Sequence, residues 1–164
     1  MTEEAGVAQN QMTDDAVVVE QQINASPERV FQAISDPKQL RAWWDCDGHC
    51  DNELWEIEPR VGGRLRVRDR AKQPLEQLGG IQAVEGHGVV TVYDPPRTLE
   101  YTWIVDWSSD LETRVRYDLL SNAGGTLVRV THSGLREQPT ARKDYREGWG
   151  LMLRSLVRYC ERAA

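Results

Sequence analysis

The stretch WWDCDGHCDNELW sets two cysteines, one histidine and three aspartates within the seven residues Asp45 to Asp51, directly behind a pair of tryptophans. Cys46, His49 and Cys50 could offer a zinc ion two thiolates and an imidazole, with Gly48 letting the loop turn around it. A closed zinc site wants four ligands, usually with cysteine pairs drawn from two places in the chain, and only one such pair exists. Asp45, Asp47 or Asp51 would have to supply the fourth. A Cys46–Cys50 disulfide is conceivable in reach, but three cysteines in all make an odd count and fit a reduced chain better. The favoured reading is a solvated, mobile polar lip, with metal and redox roles as the alternatives. No metal and no cofactor is assigned.

A second group of residues suits binding rather than bond chemistry. Trp43, Trp44, Trp103 and Trp149, with Tyr101 and Tyr117, offer large planar apolar surfaces able to wall a cavity. Val115 and Leu153 join them by strand and helix periodicity. His132 shares the parity of Val128 and Val130, so it faces inward, where it could orient a ligand or act as an acid or base near neutral pH. It has no identifiable carboxylate or nucleophile partner, and no catalytic residue is assigned. A P-loop, a dinucleotide fingerprint, a Gly-x-Ser-x-Gly elbow and a His-Glu-x-x-His helix are all missing.

These side chains need elements to position them. The chain has 164 residues, 40% of them hydrophobic and 28% charged, which suits one globular domain. The net charge of −6 opposes a sequence-independent grip on nucleic acid or anionic lipid. No apolar run approaches the roughly 20 residues needed to span a bilayer, and the acidic start lacks a secretory signal, so a cytoplasmic location is expected. Residues 1–15 read as a flexible acidic tail and 16–164 as a single domain.

From Val17 the run VVVEQQIN predicts a strand. Two short helices follow, in NASPERVFQAI and SDPKQLRAWW, each signalled by a capping residue before proline. Six further strands are read in ELWEIEP, GGRLRVRD, GHGVVTVY, LEYTWIVDW, ETRVRYDLL and GTLVRVTHS, joined by Gly, Pro and Asn turns that favour antiparallel hairpins. RAKQPLEQLGGIQAVE fits no period and is read as a long loop that could take in the beginning of the next strand. The closing segment, with Tyr145, Trp149, Met152, Leu153, Leu156 and Cys160 at helical spacing, predicts one long amphipathic helix.

Alternation gives the sheet one apolar face and one charged face, with Arg64, Arg66, Arg68, Arg114, Arg116 and Arg129 pointing outward into cross-strand ion pairs. The long helix is the element available to cover the apolar face. Gly148 and Gly150 flank Trp149 within it, each about 1 kcal/mol worse than Ala in a helix, which points either to close packing there or to a weak helix start.

A curved antiparallel sheet of about seven strands wrapped round a C-terminal helix, with two short helices after the first strand, is an α+β helix-grip arrangement. The motifs INASPERVFQAISDPKQLRAWW, PRVGGRLRV, GHGVVTVYDPPRTLEYTW, GTLVRVTHSGL and GWGLMLRSLVRYCE resemble, in order, those of the activator of heat-shock-protein-90 ATPase homologue (AHSA-like) family of the START-like (SRPBCC) superfamily. The chain departs from that pattern at DCDGHCD, where the family usually has an apolar Gly-Pro loop, and at Arg64 and Leu65, where an aromatic often follows the glycines. The resemblance implies a ligand tunnel between helix and sheet, and so a non-enzymatic module holding a small hydrophobic or aromatic molecule. Two alternatives come with it: a co-chaperone-like regulator of a heat-shock ATPase, with a chaperone protein as partner and a place in the stress response, or a cyclase- or hydrolase-type enzyme using His132. The chain is expected to be a monomer or a homodimer.

Overall fold

The computed structural model describes residues 15–75, 81–106 and 111–162. Strand β1, Val17–Ile23, leads into helices α1, Pro27–Ser35, and α2, Pro37–Trp43. Both helices start as their sequences predict. The Ser26 hydroxyl accepts from the Arg29 N–H at 3.1 Å and the Asp36 carboxylate from the Lys38 N–H at 3.1 Å, each followed by proline in the first helical position. Val30, Phe31, Ala33 and Ile34 make the buried face of α1, and Leu40 and Trp43 that of α2.

Six strands follow: β2 (Cys50–Ile57), β3 (Arg64–Leu75), β4 (Ile81–Asp94), β5 (Thr98–Val105), β6 (Thr113–Asn122) and β7 (Gly125–Ser133). The long helix α3 spans Pro139–Arg162. All strand pairs are antiparallel, in the order β1-β7-β6-β5-β4-β3-β2, so the first strand docks beside the last and the two short helices carry the chain to the opposite edge. The sheet curls into a half-barrel around α3, the helix-grip arrangement.

Alternation does what the sequence predicts. Leu99, Tyr101, Trp103 and Val105 of β5, Thr113, Val115, Tyr117 and Leu119 of β6, and Thr126, Val128, Val130 and His132 of β7 are all buried. The apolar ones meet Trp149, Leu151, Met152, Leu153 and Leu156 of α3 in one cluster. On the outer face Arg66, Arg68, Arg114, Arg116 and Arg129 pair with Glu56, Glu85, Glu100, Asp118 and Glu20. Such exposed pairs contribute roughly 0.2–1 kcal/mol each.

Three expectations need correction. RAKQPLEQLGGIQAVE is mostly strand: β3 runs on to Leu75 and β4 begins at Ile81, with an irregular register between Arg70 and Leu75. The ladder hydrogen bonds of a long hairpin hold this polar stretch extended without any apolar alternation to announce it. Likewise β2 begins at Cys50, whose partner is Ala71, and so takes in the end of the cysteine motif. Finally, Gly150 lies mid-helix, and a Cβ added to it would meet nothing within 4 Å, so neither close packing nor a weak helix start explains it. The expected tail at 1–15 falls outside the described residues except for Asp15, whose carbonyl accepts from the Leu135 N–H at 2.7 Å. Among the described residues no helix is long and apolar enough to cross a membrane.

Candidate functional site

The cysteine motif is a solvated lip only in part: Gly48, His49 and Asp51 are exposed, whereas Cys46 and Cys50 are buried. Cys46, Asp47 and Gly48 all take left-handed backbone conformations, with φ of 52°, 57° and 87°. This tight reversal is closed by the Cys50 N–H donating to the Asp45 carbonyl at 3.0 Å. The loop is tied to α3. The Asp47 N–H donates to Ser155 Oγ at 2.8 Å, the Ser155 hydroxyl donates to Asp45 Oδ1, and Arg154 and Arg158 hold the Asp47 carboxylate. Burial raises the Asp47 pKa, but the two guanidinium groups outweigh it and leave the carboxyl below its ordinary range. Cys46 and Cys50 are turned into the apolar cluster, 4% and 5% exposed, while His49 stays exposed, so the three side chains do not converge. Among the described residues no group of three or more His, Cys, Asp or Glu side chains is placed to hold a metal ion.

The aromatic residues singled out in the sequence do come together. Trp43, Trp44, Tyr101, Trp103, Val115, Tyr117, His132, Trp149 and Leu153 are each at most 7% exposed and lie on facing elements. The rings form a continuous chain of edge and tilted contacts. Trp44 meets Trp43 at 5.4 Å, Trp55 at 5.2 Å and Trp149 at 6.0 Å between centroids; Tyr117 meets Trp149 at 5.7 Å and Tyr101 at 6.4 Å; Tyr101 meets Trp103 at 6.0 Å. Such pairs add about 0.5–1.5 kcal/mol each beyond the area they bury.

His132 is held at both nitrogens. Trp149 Nε1–H donates to Nδ1 at 3.0 Å, and Nε2 lies 2.8 Å from Thr113 Oγ1, whose own proton goes to the Trp103 carbonyl at 2.9 Å. This pattern is satisfied only by the neutral ring carrying its proton on Nε2, because a proton on Nδ1 would face the indole N–H. Burial lowers the pKa to about 3, in keeping with that tautomer. Tyr145 packs over the ring at 3.9 Å between centroids. As placed, His132 has no nitrogen to offer a ligand or a proton-transfer step, and it ties β6, β7 and α3 together.

Two polar features escaped the sequence reading. Asp69 shares the inward parity of Leu65 and Val67, and this break in the apolar pattern was the available signal. Its carboxylate accepts from Trp44 Nε1 at 2.8 Å and from Asn52 Nδ2 at 2.8 Å. Although the residue keeps some solvent contact, removal of the carboxylate from water lifts its pKa to about 7 against those two hydrogen bonds. The second feature is a set of buried polar atoms without partners: the Tyr117 hydroxyl, Trp55 Nε1 and Asn52 Oδ1. The Tyr101 hydroxyl lies near that of Tyr117 but makes no hydrogen bond of good geometry to it. Burial raises the pKa of both phenols, so both stay neutral.

A cleft of about 390 Å³ opens where α2 meets the outer edge of the sheet, lined by Pro37, Trp55, Ile57 and Leu65 with Glu58 and Arg66 at its rim. Trp55 thus lines this cleft and also touches the aromatic chain through Trp44. Another cleft, of about 290 Å³, lies between β3, β4 and β5 around Gly86 and His87. Neither is walled by α3.

Comparison with known proteins bears on this arrangement. The chain is 26% identical to protein MLL2253 from Mesorhizobium loti, over 91% of this chain and 98% of that one, with a TM-score of 0.68. The AHSA1-like protein from Aeromonas hydrophila is 24% identical over 90% and 93% of the two chains, with a TM-score of 0.69. Protein Ms6760 from Mycobacterium smegmatis shares the fold at 17% identity over 90% of each chain, with a TM-score of 0.72. No curated protein matches the sequence. The profile described as "Activator of Hsp90 ATPase homolog 1-like protein" matches residues 24–161, from the turn before α1 almost to the end of α3, and the chain accordingly belongs to that family.

Proposed function

We propose that the protein is a binding module for a small, uncharged aromatic molecule, held among the rings between the sheet and α3. The observation that carries the reading is the Tyr117 hydroxyl, fully buried in the aromatic chain without a well-formed hydrogen bond, its polar neighbour being the hydroxyl of Tyr101. A buried hydroxyl left unpaired costs about 1–3 kcal/mol, a penalty that a ligand oxygen or nitrogen would remove. Because the rings touch, the ligand must part them. Gly150, next to Trp149 in α3, packs against nothing that would resist a shift, and the cleft at Trp55 offers an approach of a size suited to a small ligand.

Charge selects the ligand class. The groups facing the rings are phenols, indoles, a neutral imidazole and the Asp69 carboxyl at Trp44, and no Lys or Arg is among the buried residues of this cluster. A carboxylate would enter without a partner and lose its hydration, which is prohibitive in an apolar site. The test is titration of the intrinsic tryptophan fluorescence with 2-naphthol and with the 2-naphthoate anion. The reading expects saturable quenching by the neutral compound and none by the anion. Tyr117→Phe should weaken binding by roughly tenfold, the equivalent of one hydrogen bond of about 1.4 kcal/mol. Equal response to both compounds, or none to either, would overturn it. Regulation of a heat-shock ATPase, the alternative suggested by the family's description, is tested by the chaperone's ATPase rate with and without the protein.

A further inference from the structure

The reversal at residues 45–50 places two thiols where the sequence could only suggest a mixed cluster. Cys46 leaves the turn in a left-handed conformation and Cys50 opens β2, and the Cys50 N–H to Asp45 carbonyl bond draws the two together. Both side chains are buried in the same cluster and neither is in a disulfide. The Cys46 thiol is within hydrogen-bonding reach of Cys50. Asn52, two residues beyond Cys50 on the same face of β2, has a buried Oδ1 with no partner. The turn itself is fixed to α3 by Asp45, Asp47, Ser155, Arg154 and Arg158, so the thiol pair is built into the fold.

We propose that Cys46 and Cys50 form a two-sulfur site for a soft, thiophilic divalent metal ion of the mercuric type. Three considerations select that class. His49 points to solvent and no third His, Cys, Asp or Glu converges among the described residues, so zinc, which wants four ligands, is poorly served. Soft ions prefer sulfur and accept two sulfur donors. The charge also balances: each thiol gives up one proton, two metal–sulfur bonds form, and a dication replaces the two protons, leaving the buried site's charge unchanged. No electrons are transferred. A monovalent ion would leave two thiolates with one positive charge, a net negative buried site.

The experiment uses the full-length, reduced, metal-free protein with mercuric ion and an excess of glutathione under anaerobic conditions, followed by desalting and metal analysis. The expected result is one ion retained per chain in the wild type and in Cys160→Ser. Retention should fall more than about 100-fold in affinity in Cys46→Ser and in Cys50→Ser, since loss of a ligand exceeds the effect of losing an outer-shell partner. Circular dichroism checks that each variant folds. X-ray absorption of the wild-type complex requires no variant and should show two sulfur neighbours. Retention that follows Cys160, no retention in the presence of glutathione, or a first shell containing a single sulfur each overturns the proposal. The result is independent of the naphthol titration, because the thiol pair has no part in the ligand reading.

Discussion

Replacing Asp69 by Asn should change how stability depends on pH, and the sign follows from two buried groups that oppose each other. Unfolded, His132 takes up a proton near its ordinary 6.5; folded, it resists until about 3. Between those values the unfolded chain holds the extra proton, so stability is present above 6.5 and is lost as pH falls toward 3. Asp69 runs the other way. Its folded carboxyl keeps a proton up to about 7, whereas the unfolded one releases it near 3.8, so in that window the folded chain holds the extra proton and stability is lost as pH rises. Each group contributes a slope of about 1.4 kcal/mol per pH unit where only one state is protonated. In the overlap the two slopes cancel. Asp69→Asn removes one of them, and the variant should gain about 2 kcal/mol relative to wild type from about pH 4.5 to about pH 6.0, somewhat less because Asp69 keeps some water contact.

The assay is urea unfolding at several pH values, with the difference between the two proteins taken at each. Other carboxylates, such as Glu100 and Asp47, titrate alike in both proteins and drop out. Asn supplies one acceptor for the two donors that Asp69 satisfies, so a constant offset between the curves is expected and carries no information. Parallel profiles would refute the reasoning, as would a wild type that already shows the full slope.

The helix and the histidine network give two further expectations. Gly150→Ala should stabilise the protein by about 1 kcal/mol, because the added methyl meets open space and the mid-helix glycine penalty is relieved; a loss of stability in urea unfolding would show that the space is not free. If that room lets Trp149 move, the same variant should slow 2-naphthol quenching in stopped-flow fluorescence while leaving the spectrum of the free protein unchanged. Thr113→Val keeps the side-chain shape but strips His132 Nε2–H of its acceptor, and should destabilise by about 1–3 kcal/mol; the histidine's ring-proton signal in NMR should shift at the same time, and an unmoved signal would count against the assigned tautomer.

Much of the fold was legible because strand parity, helix caps and turn residues are local. Ser26 with Pro27 and Asp36 with Pro37 start helices by satisfying nearby N–H groups, wherever those helices end up. The alternation in Leu99 to Val105, Thr113 to Leu119 and Val128 to His132 assigns inward and outward faces from the pleat alone, and so names Tyr101, Tyr117 and His132 as interior before any packing is known. The polar extension of β3 and β4 was not legible, because only the facing strand holds it extended.

The same division runs through the site. The sequence by itself determined which side chains face inward, that they are aromatic and uncharged, and the family to which the chain belongs. Only the tertiary structure decided whom they meet. His132 depends on Thr113 from β6 and Trp149 from α3, Asp69 on Trp44 from the end of α2, and Cys46 on a turn bound to α3 at Ser155. Facing is fixed by backbone period, residue by residue. Partnership is fixed by sheet register and by where the closing helix crosses, and those follow from burying the whole apolar surface at once.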